Sequence, residues 1–281
     1  MRIFLAGSTG VLGRRIVPLL LAQGHQVTCL TRRERERFAE GAHVVVADVY
    51  DRIALTDAVV AAAPDVVLHQ LTDLGGGDRI ANAKIRTTGT RNLVDAALAA
   101  GTRRIIAQSI AWAYEGGDRP ATEETPLDLH SDPARLASVA GVAGLESTVR
   151  ELPDWVILRY GLFYGESTWY SADGMMAGRA RSGNLVADAD ITSFVHVDDA
   201  AAAAVAALDW PTGPVNVCDD EPAAGSDWLP LFCESVGAPR PPSSASKNAW
   251  ARGADNHYAR KHLDWTPSHP TWRTGFTRSA R

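Results

Sequence analysis

The sequence predicts an α/β fold built on a doubly wound parallel sheet of about seven strands, with a small C-terminal lobe. Two observations predict the sheet: short apolar runs alternate with helical patterns, and a glycine-rich turn follows the first run. A third predicts the lobe, because the stretches after the sixth and seventh strands are rich in Gly, Pro, Ser and Trp. Strands that alternate with helices form parallel sheets covered on both faces.

The strands are predicted from short apolar runs that follow a helical stretch or a turn signal. They lie at residues 2–6, 26–31, 43–47, 65–69, 104–108, 155–159 and 214–218. The longer helices are predicted from apolar residues at helical spacing. They lie at residues 14–23, 87–100, 133–151 and 198–208.

Composition and charge exclude several classes of partner. The net charge of −5 and the pI near 5.9 provide no basic surface for nucleic acid or an anionic membrane. The chain opens on a strand pattern and has no apolar run near the roughly 18 residues of a membrane helix, so we expect a cytoplasmic protein with a small-molecule substrate. The spacing of Cys29, Cys218 and Cys233 fits neither a disulfide framework nor a metal site, so we expect no metal.

The turn after the first strand has three glycines at three-residue intervals. Residues without a Cβ let the backbone approach a pyrophosphate, while the N-terminus of the next helix supplies N–H donors and a positive dipole end. The turn therefore predicts a Rossmann dinucleotide site, the alternative being a purely structural turn. The residues predicted to contact the phosphates are Gly7, Ser8, Thr9, Gly10, Val11, Leu12 and Gly13, with hydroxyl donors from Ser8 and Thr9.

The residues after the second strand predict which dinucleotide binds. NAD sites place a carboxylate about 20 positions after the turn, on the ribose 2′-hydroxyl. Here that place holds Arg32 and Arg33, whose guanidinium groups suit the 2′-phosphate of NADP. The alternative is that both arginines only begin the charged stretch 34–37. We therefore predict NADP as the cofactor.

Three further residues belong to the predicted cofactor site. Asp48, after the third strand, is placed to meet the adenine, although it could equally cap a helix that begins near Ile53. Val49 and Leu71 are also predicted to contact the cofactor. The predicted domains are an NADP-binding Rossmann domain at 1–160, completed by about 191–218, and a substrate-binding lobe at 161–190 and 219–281.

Beyond the glycine turn, several motifs are distinctive in combination. They are Asp65-Val66-Val67-Leu68-His69, Gly89-Thr90-Arg91-Asn92-Leu93, Leu158-Arg159-Tyr160, Phe194-Val195-His196-Val197-Asp198-Asp199, Val215-Asn216-Val217 and Leu263-Asp264-Trp265-Thr266-Pro267. Over nearly the whole chain, they resemble the extended short-chain dehydrogenase/reductase superfamily in its epimerase/dehydratase branch. The resemblance implies an NAD(P)-dependent enzyme, and a homodimer, since dimers are usual in that family.

The resemblance also implies a catalytic tyrosine four residues before a lysine, with the tyrosine exchanging a proton with the substrate. The chain has no such pair, because other residues stand four positions before its three lysines. They are Ile80, Ser243 and His257. The sequence therefore predicts an atypical member that lacks the pair.

Other positions of the family's proton-handling set differ as well. Counting back from Glu146, which resembles the family's glutamate after the lysine, puts Ser138 in the tyrosine position and Val142 in the lysine position. The family's asparagine before Gly-Thr is Arg86 here. The arginine with which sugar-nucleotide epimerases hold the nucleotide phosphate is Thr192, which argues against a nucleotide-sugar substrate.

A reductase without the pair needs another proton donor near the group that receives the hydride. Ser109, at the end of the fifth strand, and Tyr114, just beyond it, are the predicted catalytic residues. The alternatives are a structural hydroxyl and a loop aromatic. Ser109 and Tyr160 are also predicted to lie at the nicotinamide end of the cofactor. His196 is predicted to bond backbone or Asp198 rather than to react.

Side chains in the substrate-side stretches indicate the substrate class. An aromatic and thioether-rich wall suits an apolar small molecule, the alternative being ordinary lobe core. These side chains are Trp112, Phe163, Trp169, Met175, Met176 and Trp250. The sequence thus predicts an NADP(H)-dependent oxidoreductase acting on a small, mainly apolar carbonyl-type substrate with a non-standard proton donor. Two alternatives stay open: a non-redox isomerase, cyclase or lyase on the same scaffold, and a catalytically silent NADP-binding regulator.

Overall fold

The structure, a computed structural model, describes residues 1–34, 36–74 and 78–278. Its strands are β1 (Arg2–Ala6), β2 (Gln26–Thr31), β3 (His43–Val46), β4 (Val66–His69), β5 (Arg104–Ile110), β6 (Asp154–Tyr160), β7 (Leu162–Tyr164), β8 (Ile191–Thr192), β9 (Phe194–His196), β10 (Gly213–Val217) and β11 (Ala223–Ala224). Seven of them form one parallel sheet in the order β10-β6-β5-β4-β1-β2-β3. Strand β1 pairs with β2 on one side and with β4 on the other, because the chain builds the sheet outward from β1 in both directions. The predicted doubly wound sheet is therefore confirmed.

The helices are α1 (Gly13–Ala22), α2 (Arg52–Ala62), α3 (Arg79–Lys84), α4 (Thr90–Ala99), α5 (Pro133–Val149), α6 (Met175–Arg181), α7 (Val197–Ala206), α8 (Gly225–Ser235), α9 (His257–His262) and α10 (Trp272–Arg278). A π-helical segment, Ile85–Gly89, joins α3 to α4. The helix predicted at 87–100 is therefore the last part of a longer helical stretch. Helix α5 begins where predicted, because the Asp132 carboxylate caps it and Pro133 occupies its first turn.

The chain divides into two compact units. The first unit comprises Met1–Ser109, Leu129–Leu158 and Ala201–Pro214, and the second comprises Ile110–Asp128, Arg159–Ala200 and Val215–Arg281. The domain boundaries expected from the sequence stay a prediction. Within the described ranges, all three cysteines are buried and none forms a disulfide. No helix in the part of the chain that the structure describes has the length and apolar character to cross a membrane.

Each unit has a core of its own. In the first unit, apolar residues of β1, β4 and β5 pack with those of α2, α4 and α5. In the second unit, the core is aromatic, with Tyr170, Phe194 and Phe276 at its centre. Rigid strands and helices thus hold the loops at the strand ends, where binding residues of such folds lie.

Candidate dinucleotide and reduction site

At the turn between β1 and α1, backbone atoms of neighbouring segments approach one another closely. Gly7 has a φ of +97°, and a Cβ there would lie 2.4 Å from the carbonyl oxygen of Gln70. A Cβ at Gly13 would lie 2.2 Å from the carbonyl oxygen of Gly7. The fold itself therefore requires these two glycines. Gly10 is under less steric pressure, since a Cβ there would lie 3.3 Å from the Gly7 oxygen, and this residue is exposed.

A cavity, here named the glycine cleft, opens at this turn within the first unit. It is lined by Gly7, Thr9, Gly10, Leu30, Thr31, Arg32, Ala47, Asp48, Val49, Tyr50, Gln70, Leu71, Thr72, Asp73 and Ile85. The lining residues follow the carboxyl ends of β1 to β4, and the strand order reverses between β1 and β4. Open α/β sheets bind ligands at such a reversal.

Seven of the residues predicted to bind the cofactor line the glycine cleft. They are Gly7, Thr9, Gly10, Arg32, Asp48, Val49 and Leu71. Ser8, Val11, Leu12, Gly13 and Arg33 are not part of the lining. The Ser8 hydroxyl is buried and donates to the Leu30 carbonyl at 2.6 Å, so a phosphate contact would have to break this bond. Thr9 therefore remains the predicted hydroxyl donor to the phosphates.

The two arginines after β2 have different surroundings. Arg32 lines the cleft, and among the described residues no hydrogen bond or ion pair holds its guanidinium. The side chain of Arg33 is 79% exposed and lies 3.8 Å from Glu36, which also accepts from Arg14 at 2.8 Å. Arg32 is thus placed to reach a ligand in the cleft, whereas Arg33 joins the charged stretch that was its alternative assignment.

Gln70 lines the cleft and was missed by the sequence reasoning. Its side chain is 4% exposed, yet among the described residues neither Nε2 nor Oε1 of its carboxamide has a hydrogen-bond partner. Leaving such a group unsatisfied costs about 1–3 kcal/mol, a cost that a polar ligand in the cleft would remove. The available signal was a polar residue directly after an apolar strand.

His69 holds the segment that carries Gln70 and Leu71. Its Nδ1 accepts the N–H of Leu71 at 3.3 Å, so the ring proton lies on Nε2, which donates to the Thr90 hydroxyl at 2.8 Å. Burial lowers the pKa of His69 to about 4, and the ring is neutral at pH 7. The ring thus joins the end of β4 to the start of α4 without adding charge beside the cleft.

Asp48 and Tyr50 line the cleft after β3. The carboxylate of Asp48 accepts the N–H of Tyr50 at 2.9 Å, and the ammonium of Lys84 lies 4.4 Å from the centre of the Tyr50 ring. Helix α2 is capped by Asp51, which accepts from Ala54 at 3.1 Å. The alternative that Asp48 caps this helix is wrong, because Asp51 lies directly before it. The adenine contact of Asp48 stays a prediction.

Ser109 is buried beside helix α5 in the first unit. Its Oγ donates to Oε1 of Glu146 at 2.8 Å, and Arg150 lies 3.5 Å from the other carboxylate oxygen. Both Ser109 and Glu146 are 2% exposed. The Ser109 proton is thus engaged by a buried carboxylate, and the predicted contacts with substrate and nicotinamide stay predictions.

Two glycines bring α5 close to the helical stretch before α4. A Cβ at Gly141 would lie 3.8 Å from Cδ of Arg86, and one at Gly144 would lie 3.5 Å from Cγ2 of Thr87. Val142, which the sequence predicts to occupy the family's lysine position, is 1% exposed and serves as a core residue. This crossing brings the π-helical segment against the helix on which the sequence predicts the family's reaction positions.

Arg86 is buried in the π-helical segment, with 7% of its surface exposed. Within the described ranges it has neither a hydrogen bond nor an ion pair. Burial lowers the pKa of Arg86 to about 10, so the guanidinium keeps its charge at pH 7. Turns of π-helix occur frequently at functional sites.

Tyr114 lies in a buried hydrogen-bond network of the second unit. Its hydroxyl donates to Oδ1 of Asn216 at 2.5 Å and accepts from the Arg159 guanidinium at 3.0 Å. Tyr160 is also buried, its hydroxyl donates to the Ala200 carbonyl at 3.3 Å, and burial raises its pKa well above the usual value. The network favours the loop-aromatic alternative for Tyr114, and the catalytic and nicotinamide roles stay predictions.

The predicted apolar wall in the second unit has two kinds of member. Trp169 and Met176 pack against the aromatic core, which agrees with the lobe-core alternative. Trp112 and Trp250 pack edge to face, with 5.2 Å between ring centres, and Trp112 is 36% exposed. The tryptophan pair therefore presents apolar surface that the core does not use.

Among the described residues, one group has the composition of a metal site: His196, Asp199 and His269, whose donor atoms lie within 4.8 Å of one another. The Asp199 carboxylate accepts from the backbone N–H groups of Ser268 and His269, and the two imidazole rings stack at 3.7 Å. As predicted, His196 bonds backbone, accepting from the N–H of Asp198 at 3.2 Å. These hydrogen bonds hold the loop before α10 in place.

Residues 3–218 match the NAD dependent epimerase/dehydratase family. The chain belongs to this family. Its membership confirms the resemblance on which the sequence expectations relied, since the match includes the glycine cleft, helix α5 and the strands of the main sheet.

One relative matches over its whole length. A 3-diazoavenalumate denitrifying reductase from Streptomyces sp. is 44% identical over 304 aligned positions, covering 99% of this chain and 100% of that protein. Together with the family match, it supports an NAD(P)-dependent oxidoreductase of the short-chain type.

Two solved structures share the fold. UDP-glucose 4-epimerase of Thermus thermophilus, in complex with NAD, has a TM-score of 0.79 and 23% identity and covers 100% of this chain and 98% of its own. WbmG of Bordetella bronchiseptica, in complex with NAD and UDP, has a TM-score of 0.77 and 22% identity and covers 99% of this chain and 92% of its own. Both of those structures contain NAD.

Proposed function

We propose that this family member uses NADPH to reduce a diazonium group carried by a small, mainly apolar carboxylate, with release of N₂. The observation that carries the proposal is that the protons of both candidate donors, Ser109 and Tyr114, are engaged in buried hydrogen bonds. The reductase relative supports it, because its name describes reductive loss of nitrogen from a diazo compound.

The glycine cleft fits a dinucleotide. Gly10 and Thr9 would contact the pyrophosphate, Arg32 would pair with the 2′-phosphate, and the unsatisfied Gln70 carboxamide would supply a donor and an acceptor. When bound, the dinucleotide supplies the hydride. The preference for NADP over NAD rests on a cation at Arg32, where NAD sites carry an acidic residue.

The balance of protons separates the reduction of a diazonium cation from the reduction of a carbonyl group. A carbonyl group takes up a hydride and a proton, so it needs an acid near the oxygen. A diazonium group that accepts a hydride at its terminal nitrogen forms an N–H bond. Its C–N bond then breaks to release N₂, and the hydrogen moves as a proton from nitrogen to carbon. The sum, R–N₂⁺ plus hydride giving R–H plus N₂, consumes no proton from the protein.

The chain's part in such a reaction is to bind and orient the two reactants. This requirement agrees with a sequence in which no tyrosine stands four residues before a lysine. It also explains why Val142 can be a core residue, since no lysine is needed to lower the pKa of a tyrosine.

The test is an anaerobic assay of the purified protein with NADPH and 4-carboxybenzenediazonium, in which NADPH oxidation and N₂ release are measured together. We expect one N₂ for each NADPH consumed, at a rate above that of a protein-free control, and no oxidation with 4-carboxybenzaldehyde. Oxidation with the aldehyde alone would instead identify a carbonyl reductase. Binding of NADPH without consumption on either probe would reject the proposal in favour of a non-redox enzyme or a regulator.

A further inference from the structure

The charged guanidinium of Arg86 has no anionic partner among the described residues. Its side chain is 7% exposed and has no hydrogen bond or ion pair among them. A buried charge is costly unless it is paired, and proteins seldom keep one without a partner. The described residues thus leave this guanidinium available to an anionic ligand.

The position of Arg86 separates it from the glycine cleft. Its neighbour Ile85 lines the cleft, whereas Arg86 is not part of the lining. The side chain of Arg86 instead reaches helix α5, where its Cδ lies 3.8 Å from the place a Cβ of Gly141 would take. Ser138 and Val142, in the positions of the family's reacting pair, flank Gly141 on that helix.

Relative to the family pattern, the cation lies on the other of the two helices. That pattern implies a neutral asparagine on one helix and a lysine on α5, whereas this chain has Arg86 and Val142. The number of cations is the same, but the cation now has the planar geometry of a guanidinium. A guanidinium binds carboxylate and phosphate oxygens in pairs, which an ammonium does not.

We propose that Arg86 binds an oxyanion of the substrate, a carboxylate. The identity of that anion rests on the proposed function, while the need for an anion rests on the burial of Arg86. A phosphate of the dinucleotide has the same chemistry. The cleft already offers Arg32 and the N-terminus of α1 to phosphates, which favours the carboxylate as the partner of Arg86.

The first experiment measures binding without turnover. 4-Hydroxycinnamate and its methyl ester are titrated calorimetrically into the protein saturated with NADP⁺, for the wild type, Arg86→Met, Arg86→Lys and the control Arg52→Met, whose side chain is 71% exposed. We expect the wild type and Arg52→Met to bind the acid about 30-fold more tightly than the ester. Arg86→Met should lose this preference, and Arg86→Lys should keep part of it.

The affinity for NADP⁺ distinguishes the two sources of anion. We expect it to change by less than about two-fold in Arg86→Met. A weakening of about 30-fold, with the acid preference intact, would assign Arg86 to a cofactor phosphate and overturn the proposal. Because no diazo group takes part, the titration remains informative whether or not the protein reduces diazonium compounds.

A thermal melt of the free protein separates binding from a structural role. Arg86→Met removes an unpaired buried charge, so its melting temperature should equal or exceed that of the wild type. A lower melting temperature combined with an unchanged acid preference would make Arg86 a structural residue. If Arg86→Met does not fold, a wild type that binds acid and ester equally, or an Arg86→Lys variant with the full wild-type preference, would overturn the proposal.

Discussion

The glycine cleft and the surroundings of α5 belong to the same unit but relate to the family pattern in opposite ways. At the turn beside the cleft, Gly7 and Gly13 are required by backbone contacts, and in the cleft the side chains of Arg32 and Gln70 have no hydrogen-bond partner among the described residues. Around α5, the sequence predicts that the reacting residues differ from the family's, and this region holds a buried serine–glutamate pair and an arginine without a partner among the described residues.

The difference teaches which part of such a site depends on side-chain chemistry. Phosphate binding uses backbone N–H groups and the absence of Cβ atoms, for which glycine has no substitute. Proton transfer uses a side chain of suitable pKa, and that requirement ends when the reaction needs no proton. The reaction we propose thus accounts for a retained cleft beside an altered α5.

The largest effect is expected from a methyl group at Gly13. Its Cβ would lie 2.2 Å from a backbone oxygen, so Gly13→Ala should lower the free energy of unfolding by about 3 kcal/mol, measured by urea denaturation. Gly10→Ala is the contrast, because its Cβ would lie 3.3 Å from the nearest atom, and should cost less than about 1 kcal/mol while weakening NADPH binding. Equal losses of stability would mean that steric need does not distinguish the two glycines.

A smaller effect is expected at the 2′-phosphate. Arg32→Ala should weaken NADP⁺ binding about 30-fold in a calorimetric titration and change NAD⁺ binding little, because only NADP⁺ has the phosphate that the guanidinium would meet. Arg37→Ala, an exposed arginine on the same stretch, is the matched control and should leave both affinities unchanged. Equal weakening of NADP⁺ and NAD⁺ by Arg32→Ala would refute the choice of cofactor.

The smallest effect is expected at Ser109. Removing its hydroxyl leaves one oxygen of the buried Glu146 carboxylate without this donor, so Ser109→Ala should cost about 1 kcal/mol of stability. If the reaction takes no proton from the protein, kcat with the diazonium probe should fall less than about three-fold. A loss of about 100-fold or more would instead identify Ser109 as a proton donor, at the scale typical of general acids.

Local features were predictable because they depend on neighbours in the sequence. Apolar runs located the strands of the sheet, and the glycine spacing located the cleft with Gly7, Gly10 and Arg32 in its lining. The alternative role of Asp48 as the cap of α2 was wrong. Two aspartates precede that helix, and only the backbone geometry selects Asp51.

The sequence by itself determined the fold class and the glycine turn, and it predicted a departure from the family's reacting pair. Only the tertiary structure decided which polar groups are paired. The hydroxyl of Tyr114 meets Asn216, and that of Ser109 meets Glu146, while Arg86 and Gln70 are buried without partners among the described residues. The physical reason is that burial and hydrogen bonding join residues tens to a hundred positions apart, which no local pattern encodes.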